Sequence, residues 1–394
     1  LLIVNYSLNK PSQTMKTFFT CLLVVLMIVP AFTQIEGGRG NTAGIISPVV
    51  DVDGRVTFRL KAPKAAVVTL SGDFGPDVKL SQKDSVWSAT VGPLAPEEYV
   101  YYFTVDGVRL VDPNNPRVKI GYVTSTTASL LNVPAKEPAF YDVQDVPHGE
   151  IRTHIYKSKS NDVVRELTVY VPPGYDENPN KRYPVLYLLH GFANDQNSWH
   201  RYGRANDILD NLLAKKTIEP FLVVMPLGYG GARINGDGTG IAPPGAGRMG
   251  GDADLYQRDI LEDVIPMIET KYRTLADRQH RAIFGFSMGG GQAGRYGLNN
   301  LDKFSYIGVM SAGLGGATAE PIKKLATDPK KVNDQISLLW IACGREDAAF
   351  AGAKASADAL KQAGIKHTFV ETEGAHHWRV WRRYLRDVSP LLFK

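Results

Sequence analysis

Hydrophobic and polar positions along this chain fall into three successive patterns. An unbroken apolar run covers Phe18 to Val29. From Val49 to Val133 apolar and polar residues alternate in short runs, as in Arg55-Val56-Thr57-Phe58-Arg59-Leu60 and Ala66-Val67-Val68-Thr69-Leu70. Turn signals interrupt them at Asp53-Gly54, Ser71-Gly72-Asp73, Asp106-Gly107 and Asp112-Pro113-Asn114-Asn115-Pro116. Short alternating strands at this spacing, without a helical period, predict a small all-β sandwich over 45–135. Val133-Pro134-Ala135-Lys136-Glu137-Pro138 reads as the linker that closes it.

Beyond the linker, over 150–394, the pattern becomes strand, helix, strand. Continuous apolar runs predict strands at 184–189, 221–225, 282–286, 305–310, 337–343 and 366–371. Helical periodicity fills the gaps at 204–215, 256–272, 290–299, 353–363 and 378–386. Fully apolar strands alternating with helices imply a mostly parallel sheet covered on both faces. Ligands of such sheets bind at the carboxyl ends of the strands.

The first run changes the picture of where the protein works. Met15-Lys16, the apolar stretch, and Pro30-Ala31-Phe32-Thr33 have the order of a secretory signal: basic start, apolar middle, small-residue cleavage site. At about a dozen residues the run is too short for a membrane span. Residues 1–34 are therefore read as leader and signal peptide, and the protein as secreted, extracellular or periplasmic, with no membrane association after cleavage. Of two cysteines, Cys21 lies in this segment, so Cys343 has no partner for an internal disulfide. The net charge of +5 loses only Lys10 and Lys16 with the leader, which leaves too weak and too evenly spread a balance for nucleic acid.

Candidate chemistry centres on Gly285-Phe286-Ser287-Met288-Gly289, a G-x-S-x-G at a predicted strand-to-helix turn. The overlapping Gly289-Gly290-Gly291-Gln292-Ala293-Gly294 also spells a dinucleotide cradle. That reading requires an acid after the next strand, and Tyr306–Met310 runs into Ser311-Ala312-Gly313 instead. No cofactor is expected. A nucleophilic serine needs a base, and the base an orienting acid. Both follow in the required chain order: Gly344-Arg345-Glu346-Asp347 after one strand, Glu373-Gly374-Ala375-His376-His377-Trp378 after the next. The pattern alone leaves Glu346 and Asp347 open as the acid, and His376 and His377 as the base. No H-x-x-x-H type of spacing occurs, so no catalytic metal is expected. Oxyanion donors are expected from the backbone N–H groups of Met288 and, after the strand ending at Leu189, of Phe192. His190 is read as a brace for that loop rather than as a base.

The phrases "YLLHGFANDQNSW", "VVMPLGYG", "FGFSMGGGQA", "ACGREDAAF" and "EGAHHWRVWRRYL" resemble, in order over 150–394, the feruloyl esterases of carbohydrate esterase family 1 and the related esterase D-like enzymes. The resemblance implies an α/β-hydrolase fold with Ser287 as nucleophile. Its Gly-x-His-x-Trp segment maps onto His376 with Trp378, and its Cys-Gly-x-x-Asp stretch onto Asp347. Gly374-Ala375 stands where that family tends to have Gly-Gly. Residues 49–133, with "DGRVTFRLKAPKA", "VWSATVGPL" and "YVYYFTVDGVRLVDPNNP", are similar to the early-set, immunoglobulin-like carbohydrate-binding family 48. The pair implies a substrate of feruloylated arabinoxylan or its oligosaccharides. Trp87, Tyr99 and Tyr101 are candidate sugar-stacking residues, and Trp199 and Tyr229 candidate substrate contacts. The Gly- and Pro-rich loop 228–256 is long enough to shape an acyl slot. Alternatives are an acetylxylan esterase on the same scaffold, a non-catalytic glycan-binding protein, and an acyltransferase in which a sugar hydroxyl replaces water.

Overall fold

Eight strands form the largest sheet, in the spatial order Glu150–Ser158, Val163–Val171, Leu222–Pro226, Val185–Leu189, Arg281–Phe286, Tyr306–Met310, Leu338–Gly344 and Thr368–Thr372. The first two pairings are antiparallel and the remaining five parallel. The computed structural model describes residues 44–122, 126–234, 240–241, 253–316 and 320–394. The segment 1–34, read above as leader and signal, lies outside the described residues.

Strand alternation decides the two faces of this sheet. Val185, Tyr187, Leu189, Ile283, Ile307, Val309, Leu339 and Ile341 belong to one apolar cluster, and Leu186, Leu188, Ala282, Phe284, Tyr306, Met310, Trp340 and Ala342 to another. The first face is covered by the helical stretch Ala253–Lys271 (with a π-turn at Asp259–Val264) and by helices Met288–Asn299 and Phe350–Gln362. Helices Ala205–Ala214 and Trp378–Val388 cover the second. Both faces are buried, which is why the central strands read as continuous apolar runs. Each lies within a few residues of its expected span.

The antiparallel edge pair Glu150–Ser158 and Val163–Val171 has no counterpart in the sequence reading. Arg165 and Glu166 interrupt its apolar pattern, yet both are buried. Arg165 Nε lies 3.1 Å from Asp259 Oδ2, with both side chains fully inside. Its guanidinium also donates to the carbonyls of Tyr229 at 2.8 Å and Ala232 at 2.7 Å. A buried charge is tolerated where its donors are all met. A hydropathy pattern does not reveal that partner set.

Before this sheet come two smaller antiparallel ones. Val49–Val50, Val56–Lys61, Val86–Val91 and Ser81–Lys83 make the first. Gly75–Lys79, Val68–Gly72, Glu97–Val105, Ala128–Val133 and Val118–Lys119 make the second, with Val108–Leu110 added beside Glu97–Val105. One apolar cluster drawn from both sheets joins them, including Phe58, Leu70, Trp87, Tyr99, Tyr101 and Phe103. This corrects the expectation for the three aromatics as sugar platforms. Trp87 is 5% exposed with Nε1 donating to Ala62 O, and Tyr99 and Tyr101 are 2% and 0% exposed. Their ring faces are occupied by core neighbours.

Strand Glu97–Val105 also serves two sides. Tyr99, Tyr101 and Phe103 point into the cluster between the small sheets, while Val100 packs with Leu130 and Tyr141 on the second face of the large sheet. Ile45–Lys394 thus form one compact unit. At the seam Arg382, 1% exposed, donates to Glu97 Oε1 at 2.8 Å and to Glu98 O at 3.1 Å. Arg383 reaches Glu97 Oε2 at 3.0 Å, and Arg379 donates to Asp73 O at 2.6 Å. Arg382→Met leaves the buried Glu97 with only the half-exposed Arg383 as a cation and removes the donor to Glu98 O. Removing one partner of such a pair costs about 3–5 kcal/mol, and a urea unfolding curve should show that loss as a lower midpoint. An unchanged midpoint would mean that the pair does not hold the seam.

Candidate active site

The site is built at the carboxyl ends of the parallel strands. Strand Arg281–Phe286 delivers Ser287 to a turn with φ 55° and ψ −122°, directly before helix Met288–Asn299. A non-glycine residue there carries strain of about 1–3 kcal/mol, which persists because the surroundings fix it. Ser287 N–H donates to Met310 O at 2.8 Å and its carbonyl accepts from Gly291 N–H at 3.0 Å. A Cβ at position 289 would press on the carbonyl carbon of Leu189 at 2.8 Å. Glycine is required there by close approach of the two loops. Within the helix, a Cβ on Gly290 would meet Met310 O at 2.8 Å, whereas Gly291 has no atom nearer than 4.0 Å to claim its glycine.

Ser287 Oγ lies 2.8 Å from His376 Nε2. On the other side of the ring, His376 Nδ1 lies 2.9 and 3.0 Å from the two oxygens of Asp347. The three residues that the resemblance marks are thereby brought into one hydrogen-bonded line. Burial pushes the Asp347 carboxyl up, but the hydrogen bonds from His376 and from Ala349 N–H outweigh it and hold it below the ordinary carboxylate range. Asp347 is therefore ionised at neutral pH and accepts from Nδ1–H, which leaves Nε2 free to take a proton from Ser287. Glu346 does something different: its Oε2 accepts from Gly374 N–H and so ties the two loops together. His377 is turned away, with Nε2 3.2 Å from Arg379, and burial drives its pKa down to about 4.

Phe192 and Met288, the expected oxyanion donors, flank the serine, and among the described residues neither backbone N–H donates to another protein group. Met288 is the first residue of its helix, where an N–H is free by construction and the dipole favours negative charge. The loop carrying Phe192 is held by His190, which donates from Nδ1 to Gly191 O and accepts at Nε2 from Gly228 N–H, both at 2.8 Å. Burial lowers the pKa of His190 to about 4. It stays neutral and acts as the brace expected of it.

Trp199 and Tyr229 do not offer a substrate face. Trp199 is 1% exposed, donates from Nε1 to Leu189 O, and packs edge-on against Phe286 and Trp378. Tyr229 is 2% exposed, stacked on Tyr122 at 4.4 Å and bonded to Asn194 O. Both support the loops from behind, a role that aromatic composition alone does not separate from ligand stacking. Of the loop 228–256, residues 235–239 and 242–252 lie outside the described residues.

Two cavities flank the site, one reaching Ser287 and the other His376, with Phe192 in the wall of each. One, of about 680 Å³, is lined by Ser287, Met288, Phe192, Leu314 and Pro321, with Gln292 and Arg295 among its polar members. The other, of about 410 Å³, runs between His376, Trp378 and the second small sheet, which contributes Tyr102 and Lys119 from its strands and Asp73 from the turn between Val68–Gly72 and Gly75–Lys79. Sequence reasoning gave no signal for that second wall, because its residues lie more than 250 positions from His376.

The family model described as "Putative esterase" matches residues 158–392. The bacterial endo-1,4-beta-xylanase/feruloyl esterase of Xylanibacter ruminicola is 33% identical over 363 residues, which cover 90% of this chain and 47% of that protein. The chain thus spans about half the length of this relative. Among solved structures, a mutant of the feruloyl esterase module from Clostridium thermocellum complexed with sinapinate is 25% identical, with a TM-score of 0.54 over 65% of this chain and 93% of that one. The enterobactin esterase of Shigella flexneri aligns over 85% of this chain and 92% of its own, with a TM-score of 0.64. At 15% identity that likeness speaks for the fold alone.

Proposed function

The chain belongs to this esterase family, and from that premise we propose that it is a secreted serine esterase that releases feruloyl or related hydroxycinnamoyl groups from arabinoxylan. The observation that carries the acyl class is the cavity of about 680 Å³ opening on Ser287. It is walled by Phe192, Leu314 and Pro321, and has the size and character of a site for an aromatic acid. An acetyl group would leave most of it empty.

In this reading Ser287 attacks the ester carbonyl while His376 takes its proton, and Asp347 stabilises the imidazolium. The backbone N–H groups of Phe192 and Met288 hold the oxyanion. His376 then protonates the departing sugar oxygen, and water releases the acid through the reverse sequence. The leaving alcohol must lie on the histidine side, which is the side of the second cavity. That arrangement supports a glycan-facing role for the residues before 135, the part similar to carbohydrate-binding family 48. The role falls to Tyr102 and Lys119 at the cleft rather than to Trp87.

The test compares ferulate release from methyl ferulate with acetate release from acetylated xylan. Ferulate release is expected to dominate by at least tenfold in kcat/KM, since an apolar pocket contributes more for each buried group it contacts. Acetate release alone would move the assignment to an acetylxylan esterase. No release of either from folded protein would favour a glycan-binding function, and transfer of ferulate to added oligosaccharide would favour an acyltransferase.

A further inference from the structure

Helix Met288–Asn299 turns one face to the larger cavity. Met288, Gly291, Gln292 and Arg295 all line it, at the i, i+3, i+4, i+7 spacing of a single helical stripe. A side chain at 291 would stand in the cavity, because a Cβ there meets nothing nearer than Gly313 O at 4.0 Å. Glycine thus leaves floor space between Ser287 and the residues beyond it.

Those residues carry unmet polar atoms. Gln292 is 5% exposed, and its Nε2 donates to Gly228 O at 3.0 Å. A carbonyl only accepts, so the amide has one possible orientation, and Gln292 Oε1 is left buried without a partner. Arg295 is partly buried and makes one long contact, from Nη2 to Tyr296 Oη at 3.4 Å. Its Nε is buried without an acceptor, and no carboxylate among the described residues pairs with it. One wall of a mostly apolar cavity therefore holds an acceptor and a donor that a ligand can satisfy.

The helix also supplies a ruler. At 1.5 Å per residue, Gln292 and Arg295 stand about 7 and 12 Å along the axis from Ser287. Helical side chains lean back toward the N-terminus, which brings the Arg295 head nearer. An extended cinnamoyl group spans roughly 8 Å from carbonyl carbon to para oxygen by ordinary bond lengths. With its carbonyl at Ser287, that oxygen falls beside Gln292 and Arg295. A phenol satisfies both, its O–H donating to Gln292 Oε1 and its oxygen accepting from Arg295. An ether has no proton to give.

We propose that Gly291, Gln292 and Arg295 are specificity-determining residues that select acyl groups with a free para-hydroxyl over those whose para oxygen is capped as an ether. The proposal rests on the esterase reading above. Gly291 makes room for the ring, and the other two read its far oxygen.

The test compares kcat/KM for methyl ferulate and methyl 3,4-dimethoxycinnamate, which differ only by a methyl group on the para oxygen. Wild type is expected to favour ferulate by about 10- to 100-fold, the range for leaving a buried polar atom unpaired. Gln292→Met removes the acceptor and should bring that ratio within about threefold of one. Arg295→Met should lower ferulate about tenfold relative to methyl 3-methoxycinnamate, which lacks the para oxygen. Gly291→Ala should raise the unfolding midpoint, since alanine is the better helix former, yet lower turnover of the cinnamoyl esters relative to p-nitrophenyl acetate. A wild-type ratio near one, ratios unmoved in Gln292→Met and Arg295→Met, or full ferulate turnover in Gly291→Ala would each overturn the proposal. Binding to Ser287→Ala separates the failures. Wild type that releases no acid, beside Ser287→Ala that binds ferulate far more tightly than 3,4-dimethoxycinnamate, removes the esterase reading and keeps the pocket. Equal turnover of both esters keeps the esterase and removes its selectivity.

Discussion

Ser287→Ala is expected to yield a folded protein whose ester hydrolysis is lower by roughly a million-fold, the loss typical when a nucleophile of this kind is removed. The substitution deletes one oxygen whose bond in the structure is to His376 Nε2 at 2.8 Å. The turn around it is kept by other groups: Ser287 N–H on Met310 O, the Gly291 N–H on the serine carbonyl, and the tight approach of Gly289 to the 189–191 loop. Near-identical circular dichroism and unfolding midpoint are therefore expected beside the lost turnover. The oxyanion donors and the acyl cavity remain, so the variant should still bind ferulate and compete as a trap for it. A Ser287→Ala protein retaining a tenth of wild-type kcat/KM would sink the acyl-enzyme mechanism.

Much of this site was legible because its chemistry is tied to local chain geometry. The turn at Ser287 needs small neighbours, and the strand-to-helix change around it is a periodicity change, both visible in a single stretch. The parallel strands were legible for a related reason: burial on both faces writes itself as an uninterrupted apolar run, as at Pro184–Leu189. What escaped was decided by partners far along the chain. Arg165 reads as an exposed charge until Asp259 and the carbonyls of Leu227, Tyr229 and Ala232 are placed around it. Trp87, Tyr99 and Tyr229 have the composition of sugar platforms, yet core packing claims their faces. Ser311 entered the sequence argument only because it is not an acid. Its hydroxyl finds a partner only once helix Trp378–Val388 brings Trp381 Nε1 to within 3.0 Å of it.

The acid is where sequence and structure divide the labour most clearly, and Asp347→Asn is expected to lower kcat by about 10⁴-fold. An asparagine in that place can turn its amide N–H toward His376 Nδ1, and the imidazole then holds its proton on Nε2. An N–H would face Ser287 Oγ, and no base would remain to accept its proton. The adjacent Glu346 cannot be told from Asp347 by motif spacing, since both follow Gly344 within three residues. Their environments differ: Asp347 is buried and bonded to the base, whereas Glu346 is exposed and accepts from the backbone of Gly374. Glu346→Gln keeps an oxygen able to accept that N–H, so its kcat should stay within a few-fold of wild type. Measuring both variants on methyl ferulate makes each the control for the other. A large loss in Glu346→Gln with Asp347→Asn near normal would exchange their roles.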